Sequence, residues 1–195
     1  MKFKFLKSLF VALSFIVVPV SNASLITYTD RATFESALSS FSIDDYTDIT
    51  AGYLTWLDRG DYSITSGGMY GCVNNPGTCG PQPPAGDGIG LFHYSGNDTF
   101  TFDTAINGFG FDYGQTHSSF STRPIIDGMI ASDLQGFFGV IFDVAKTTVV
   151  LNQNAQYLIT DNLTFGVTAV PEPSTFAIFA LGLMGLASRR FKKQS

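Results

Sequence analysis

Apolar residues fall into two different patterns along this chain. At either end they run together, over residues 9–18 (with Ser14 as the one polar residue) behind Lys2, Lys4 and Lys7, and over residues 176–187 ahead of Arg189, Arg190, Lys192 and Lys193. Between those runs they alternate with polar residues in short stretches bounded by Gly, Pro, Asn and Asp, which is the period of a strand with one face buried. The alternation predicts strands at residues 25–29, 54–57, 62–65, 89–94, 99–102, 108–113, 125–131, 137–142, 147–151 and 157–167. One segment has the other period. Behind Asp30, a good N-cap, the residues Phe34, Ala37, Leu38 and Phe41 recur at 0, 3, 4 and 7 and predict one small amphipathic helix. Glycines and prolines crowd residues 43–90, so a long loop is expected before the strand at 89. Regular strand spacing with turn residues between predicts an antiparallel β-sandwich.

The two ends read as addresses rather than as fold. A ten-residue stretch is about half of the roughly 20 that a spanning helix needs. With basic residues ahead of it, and Pro19 and then Ser21-Asn22-Ala23 behind, it forms a secretory signal over residues 1–23, cleaved after Ala23. At the other end, Pro171-Glu172-Pro173 precedes a segment, residues 174–188, that is apolar all round over residues 176–187. As a helix it would be about 22 Å long at ~1.5 Å per residue, short of a ~30 Å hydrocarbon core but able to span with bilayer thinning and snorkelling arginines. Basic residues stay on the cytoplasmic side, which leaves residues 189–195 inside and the domain, residues 24–170, outside. Two prolines deny the motif helical geometry, so Pro171-Glu172-Pro173 is expected as an extended peptide just outside the membrane.

Val170-Pro171-Glu172-Pro173-Ser174-Thr175, a short Leu/Ala/Gly-rich helix and a basic terminus together resemble the PEP-CTERM sorting signal of Gram-negative bacteria, over residues 170–195. The resemblance implies an exosortase, a membrane-embedded thiol enzyme, as the partner that recognises Pro171, Glu172 and Pro173. It also implies passage through the membrane to the cell surface or extracellular matrix. Such tails also carry an "ice-binding protein C-terminal" label; the domain lacks the regular Thr-x-Thr repeats that a flat ice-binding face requires.

Charge changes the picture of the middle. Residues 24–170 hold four basic residues, Arg31, Arg59, Arg123 and Lys146, against fourteen Asp and Glu35, so four minus fifteen leaves −11 where the whole chain shows −5. Nucleic acid is excluded as a partner on that balance, and cations are favoured. The excess of Asp over Glu favours turns and loops over helices. Cys72 and Cys79, the only cysteines, are expected to pair once exported.

Catalytic motifs are missing from the pattern: there is no Gly-x-Ser-x-Gly elbow, phosphate loop or dinucleotide fingerprint. His93 and His117 each suit either a general base or a packing role. Asp161-Asn162, ahead of the last strand, offers oxygen ligands for a structural Ca2+, or else a turn aspartate satisfying its own backbone. Trp56, Tyr70, Tyr94 and Tyr113 are the aromatics a sugar would need, with Trp56 and Tyr94 the foremost ligand-binding candidates and Trp56 equally suited to the core. Thr99-Phe100-Thr101-Phe102-Asp103, Ile106-Asn107-Gly108-Phe109-Gly110-Phe111-Asp112, Gly136-Phe137-Phe138-Gly139-Val140-Ile141-Phe142-Asp143 and Thr160-Asp161-Asn162-Leu163-Thr164-Phe165-Gly166 resemble the jelly-roll sandwiches found ahead of such tails. The reading is a mainly β, jelly-roll-like domain with one short helix, between a signal peptide and a C-terminal membrane helix. It is non-enzymatic and polysaccharide-associated. The alternatives are a secreted hydrolase acting on glycans and a purely structural matrix component.

Overall fold

Threonine, valine and phenylalanine alternating over long stretches can satisfy both backbone and core only in a sheet, and a mainly β structure results. The computed structural model describes residues 25–73, 89–94, 96–115, 121–155 and 157–169. Its strands are β1 (Ile26–Tyr28), β2 (Ser40–Asp44), β3 (Gly52–Asp58), β4 (Tyr62–Val73), β5 (Ile89–His93), β6 (Asp98–Gln115), β7 (Pro124–Ile126), β8 (Met129–Ile130), β9 (Gly136–Gln153) and β10 (Leu158–Val167), with one helix, α1 (Arg31–Ser36). All pairings are antiparallel and join into one ten-stranded sheet in the order β2-β10-β5-β4-β6-β9-β7-β8, with β1 added to β9 and β3 to β4. The signal region, residues 1–24, and the tail, residues 170–195, lie outside the described residues.

Several sequence expectations need correction. The stretches 99–102 and 108–113 are halves of one eighteen-residue strand, β6, and 137–142 and 147–151 are halves of β9. Polar residues between the halves mark a bend, where the β6–β9 register shifts twice, between Thr101 and Gly108. Strand 125–131 is instead the β7–β8 hairpin. Asp127 and Gly128 both stand at positive φ, which is the requirement of a type I′ turn. The helix stops at Ser36, so Phe41 belongs to β2, a strand the helical spacing concealed. β4 runs on through Gly67, Gly68 and Gly71, which had read as loop.

The bends wrap the sheet about its core. β6 pairs with β4 through Asp98–Phe102 and with β10 through Gly108–Gln115, β10 pairs with β5, and β5 pairs with β4, so these four strands close a circuit. Inside it lies the main core, with Ile64, Met69, Leu91, Phe100, Phe109, Phe111, Phe138 and Leu158 all buried. A smaller cluster of Phe34, Leu38, Phe137 and Ile141 lies outside the sheet, under α1. Asp30 caps that helix by accepting the Thr33 backbone N–H at 2.8 Å. Glycines make room for it: a Cβ at Gly108 would lie 2.5 Å from Leu38 Cδ2, and one at Gly139 2.7 Å from Phe34 Cδ2.

Candidate functional site

An aromatic surface forms where β3, β4, β5 and β10 lie side by side. Tyr53, Tyr70, Phe92 and Ile159 are register partners in succession, so they share one face of the sheet. Phe92 is buried with Cys72 and Ile159, and Tyr70 and Tyr157 pack against that cluster. Above it the Phe92 and Tyr94 rings meet edge to face at 4.6 Å, Tyr94 lies 6.3 Å from both Tyr53 and Tyr157, and Phe92 stacks on Tyr157 at 5.7 Å. Tyr53 is 60% exposed, Trp56 57% and Tyr94 37%, so the layer is buried at its base and open at its top. The register slips between Leu54 and Trp56, and both Leu54 and Leu57 pack inward. Tyr53 and Trp56, three apart, therefore both face solvent, with exposed Thr55, Thr65 and Gly67 around them.

Trp56 and Tyr94 are thus surface residues, as a ligand platform needs. Tyr113 is not. It is buried, donates to the Asp133 carbonyl at 2.9 Å, and burial, followed by the Asp133 charge, pushes its phenol up to about 12. Sequence reasoning also passed over Tyr53 and Tyr157. Alternation around the glycines of β4 gave no sign of which face each would take.

A second constellation is polar and enclosed. His93 Nδ1 lies 2.5 Å from Asp98 Oδ2, and His93 Nε2 lies 2.8 Å from Thr160 Oγ1; all three residues are buried. The chain turns between His93 and Asp98 at Gly96, which stands at φ +97°, and β10 brings Thr160 in from 67 residues away. Acid, imidazole and hydroxyl in that order have the connectivity of a hydrolytic triad. They equally satisfy one another as a buried tie between β5, β6 and β10. His117 lies outside the described residues.

Asp161 and Asn162 stand at the bulge between β10 and β6. Asp161 Oδ1 accepts the Asn162 backbone N–H at 2.6 Å, with Asn162 at φ +48°. The Asn162 carbonyl accepts from Arg31 at 2.8 Å, and Arg31 also pairs with Asp112 at 3.0 Å and donates to Thr164. A guanidinium therefore occupies the neighbourhood proposed for calcium. Among the described residues, no group of three or more His, Cys, Asp or Glu is placed to hold a metal ion.

A third polar site is a ring of charge. Arg59 grips Asp44 through two bonds of 2.7 and 2.8 Å and Asp48 through one of 2.6 Å, while the Tyr62 hydroxyl donates to Asp44 at 2.7 Å. Burial pushes the Asp44 carboxyl up, but the bonds from Arg59, Tyr62 and the Tyr46 N–H outweigh it and leave the group below its ordinary value. Burial also holds the Tyr46 and Tyr62 hydroxyls well above the phenol range.

Cys72 is buried beneath the aromatic layer, and no cysteine among the described residues is free. Cys79 lies outside the described residues, as do Ala23, Pro171, Glu172, Pro173 and the basic residues Arg189, Arg190, Lys192 and Lys193. Compared with known proteins, residues 169–193 match the family model of the PEP-CTERM protein-sorting motif, in agreement with the resemblance seen in the sequence. None of the curated proteins matches the chain.

Proposed function

We propose that this chain, which carries the PEP-CTERM sorting motif and is therefore an exported protein handed to an exosortase, serves at the surface or in the extracellular matrix of a Gram-negative bacterium as a non-enzymatic, polysaccharide-associated domain. The wrapped sheet reads as a jelly-roll-like sandwich, an architecture that presents side chains on a rigid frame. The observation that carries the proposal is the exposed aromatic layer around Tyr53, Trp56 and Tyr94 on a protein sorted by its tail. Exposed rings beside threonine hydroxyls are what sugar rings stack and hydrogen-bond upon. The signal peptide, cleavage after Ala23, the membrane helix at residues 174–188 and the Cys72–Cys79 disulfide complete this reading.

One observation favours a second reading. His93, Asp98 and Thr160 have triad connectivity, which supports a secreted hydrolase acting on glycans or their esters. Against it, the hydroxyl and imidazole are enclosed, whereas a nucleophile must reach substrate. The full chain, incubated with surface polysaccharide of its host, separates the two. Retention of the polysaccharide without release of reducing ends or acyl groups is expected. Turnover abolished by His93→Gln but kept by Tyr53→Ala would replace the binding role with catalysis.

A further inference from the structure

The registers fix where the two addressed ends leave the domain. Ile26, Ile141, Gly108, Gly166 and Phe41 lie in one row across β1, β9, β6, β10 and β2. β1 starts at that row and β10, running the opposite way, ends one residue past it, where the Val167 carbonyl is held by the Ser39 N–H at 2.8 Å. Residues 1–24 and the tail beyond Ala169 therefore join the domain at the same pole, about 14 Å apart by three strand spacings.

The aromatic layer is at the other pole. Gly114, Ile159, Phe92, Tyr70 and Tyr53 share a second row, six residues along β6 from Gly108, or about 20 Å away. Tyr94 lies beyond that row, its N–H donating to the Gly68 carbonyl at 3.1 Å where β4 bends over to its other partner. Exposed Trp and Tyr have two usual seats, a bilayer interface and a ligand platform. With the tail at one pole and the rings at the other, a tethered domain turns the rings away from its own membrane. Charge narrows the occupant. In a domain of formal charge −11, the exposed neighbours Thr55, Thr65 and Gly67 carry no charge, so an acidic glycan meets a repelling field with no cation among these neighbours to pair with.

We infer that Tyr53, Trp56 and Tyr94 form a membrane-distal platform for uncharged glycan chains, engaged while the protein is still held by its tail. This rests on the reading of the tail as a sorting anchor and of the rings as a sugar surface, and it adds orientation and ligand charge. Trp56 is the only tryptophan in the chain, so its emission reports this surface directly.

The full chain is reconstituted into phospholipid vesicles. Failure to float with them would reject the anchor reading and not the platform. In floated protein, brominated lipids should leave Trp56 emission unchanged. Hexamers of neutral gluco-, galacto-, manno- and N-acetylglucosamine chains are then titrated against oligoguluronate. At least one neutral chain should shift the emission, and Tyr53→Ala should weaken that response by roughly tenfold or more, the loss of one aromatic contact. Tyr53→Phe should keep it, and since residue 53 is exposed both variants should melt with the parent. Quenching by brominated lipid would seat the patch on the membrane instead. Response to oligoguluronate alone, to no sugar, or only to protein concentration would each overturn the platform, the last in favour of a second copy.

Discussion

Asp44 carries more of the fold than its place at the end of β2 suggests. It receives Arg59 twice, the Tyr62 hydroxyl and the Tyr46 N–H, and so ties β2, the start of β4 and the segment between them. Its folded value lies below the ordinary carboxylate value, so its contribution is complete above about pH 4, where the unfolded group is ionised, and is lost as pH falls through the folded value. Asp44→Asn is therefore expected to cost about 2–3 kcal/mol at pH 7, since Arg59 keeps only Asp48. In denaturant melts of parent and variant, the gap should close toward pH 3. A gap that stays constant with pH would mean the carboxylate charge is immaterial. The charge ring was invisible in the sequence because Asp44 and Arg59 are fifteen apart in a region that read as loop. The aromatic site was half legible: Trp56 and Tyr94 stand out by residue type, but the exposure of Trp56 beside Tyr53 depends on a register slip. His93 and Asp98 are five apart and could have been paired from the turn at Gly96. Thr160 could not, because only the circuit of strands brings it there.

At the scale of elements, the sequence resolves what is periodic and loses what is bent. Strand halves in β6 and β9 were legible as alternation, whereas their continuity through Asp103 and Asp143 was not, since polar residues at a bend look like a turn. The glycines of β6 and β9 had a cause no single strand discloses. Gly108 and Gly139 lie beneath α1, which is only six residues long and depends for its stability on burying Phe34 and Leu38 there. Gly139→Ala should drive a methyl into the Phe34 ring and cost about 2 kcal/mol, read as a lowered urea midpoint. An unchanged midpoint would show the helix to be loosely seated. The segment after β4 makes a separate prediction. Cys72 is buried against Phe92 and Ile159, and a bond from it to Cys79 should contribute about 2–3 kcal/mol by constraining the unfolded chain. Non-reduced peptide mapping of protein isolated after export should recover the linked pair, and two alkylatable thiols would reject it.

For the molecule as a whole, the domain and its ends obey different physics. The circuit of β4, β5, β10 and β6 depends on partners as far apart in the chain as Leu91 and Thr160, so no local pattern announces it. The tail is local chemistry: Pro171-Glu172-Pro173, a short apolar run and a basic end, all legible in the 25 residues matching the sorting motif. Fate should therefore follow the tail and not the fold. Truncation after Val170 removes the apolar segment while leaving β10 and its last described pairing, Val167 with Ser40, intact. A folded domain should then leave the membrane fraction and accumulate in the periplasm, with the urea midpoint of the full chain. Replacing Pro171, Glu172 and Pro173 by alanine keeps the apolar segment and the basic end but removes the handle, so an exosortase-bearing host should hold the unprocessed form in its membrane. The two variants part the anchor from the signal, since the first loses both and the second only the signal. Fractionation and immunoblotting read the result. Processing and release of the triple variant at the parental rate would leave the tail an anchor only, with the Pro-Glu-Pro motif playing no part in recognition.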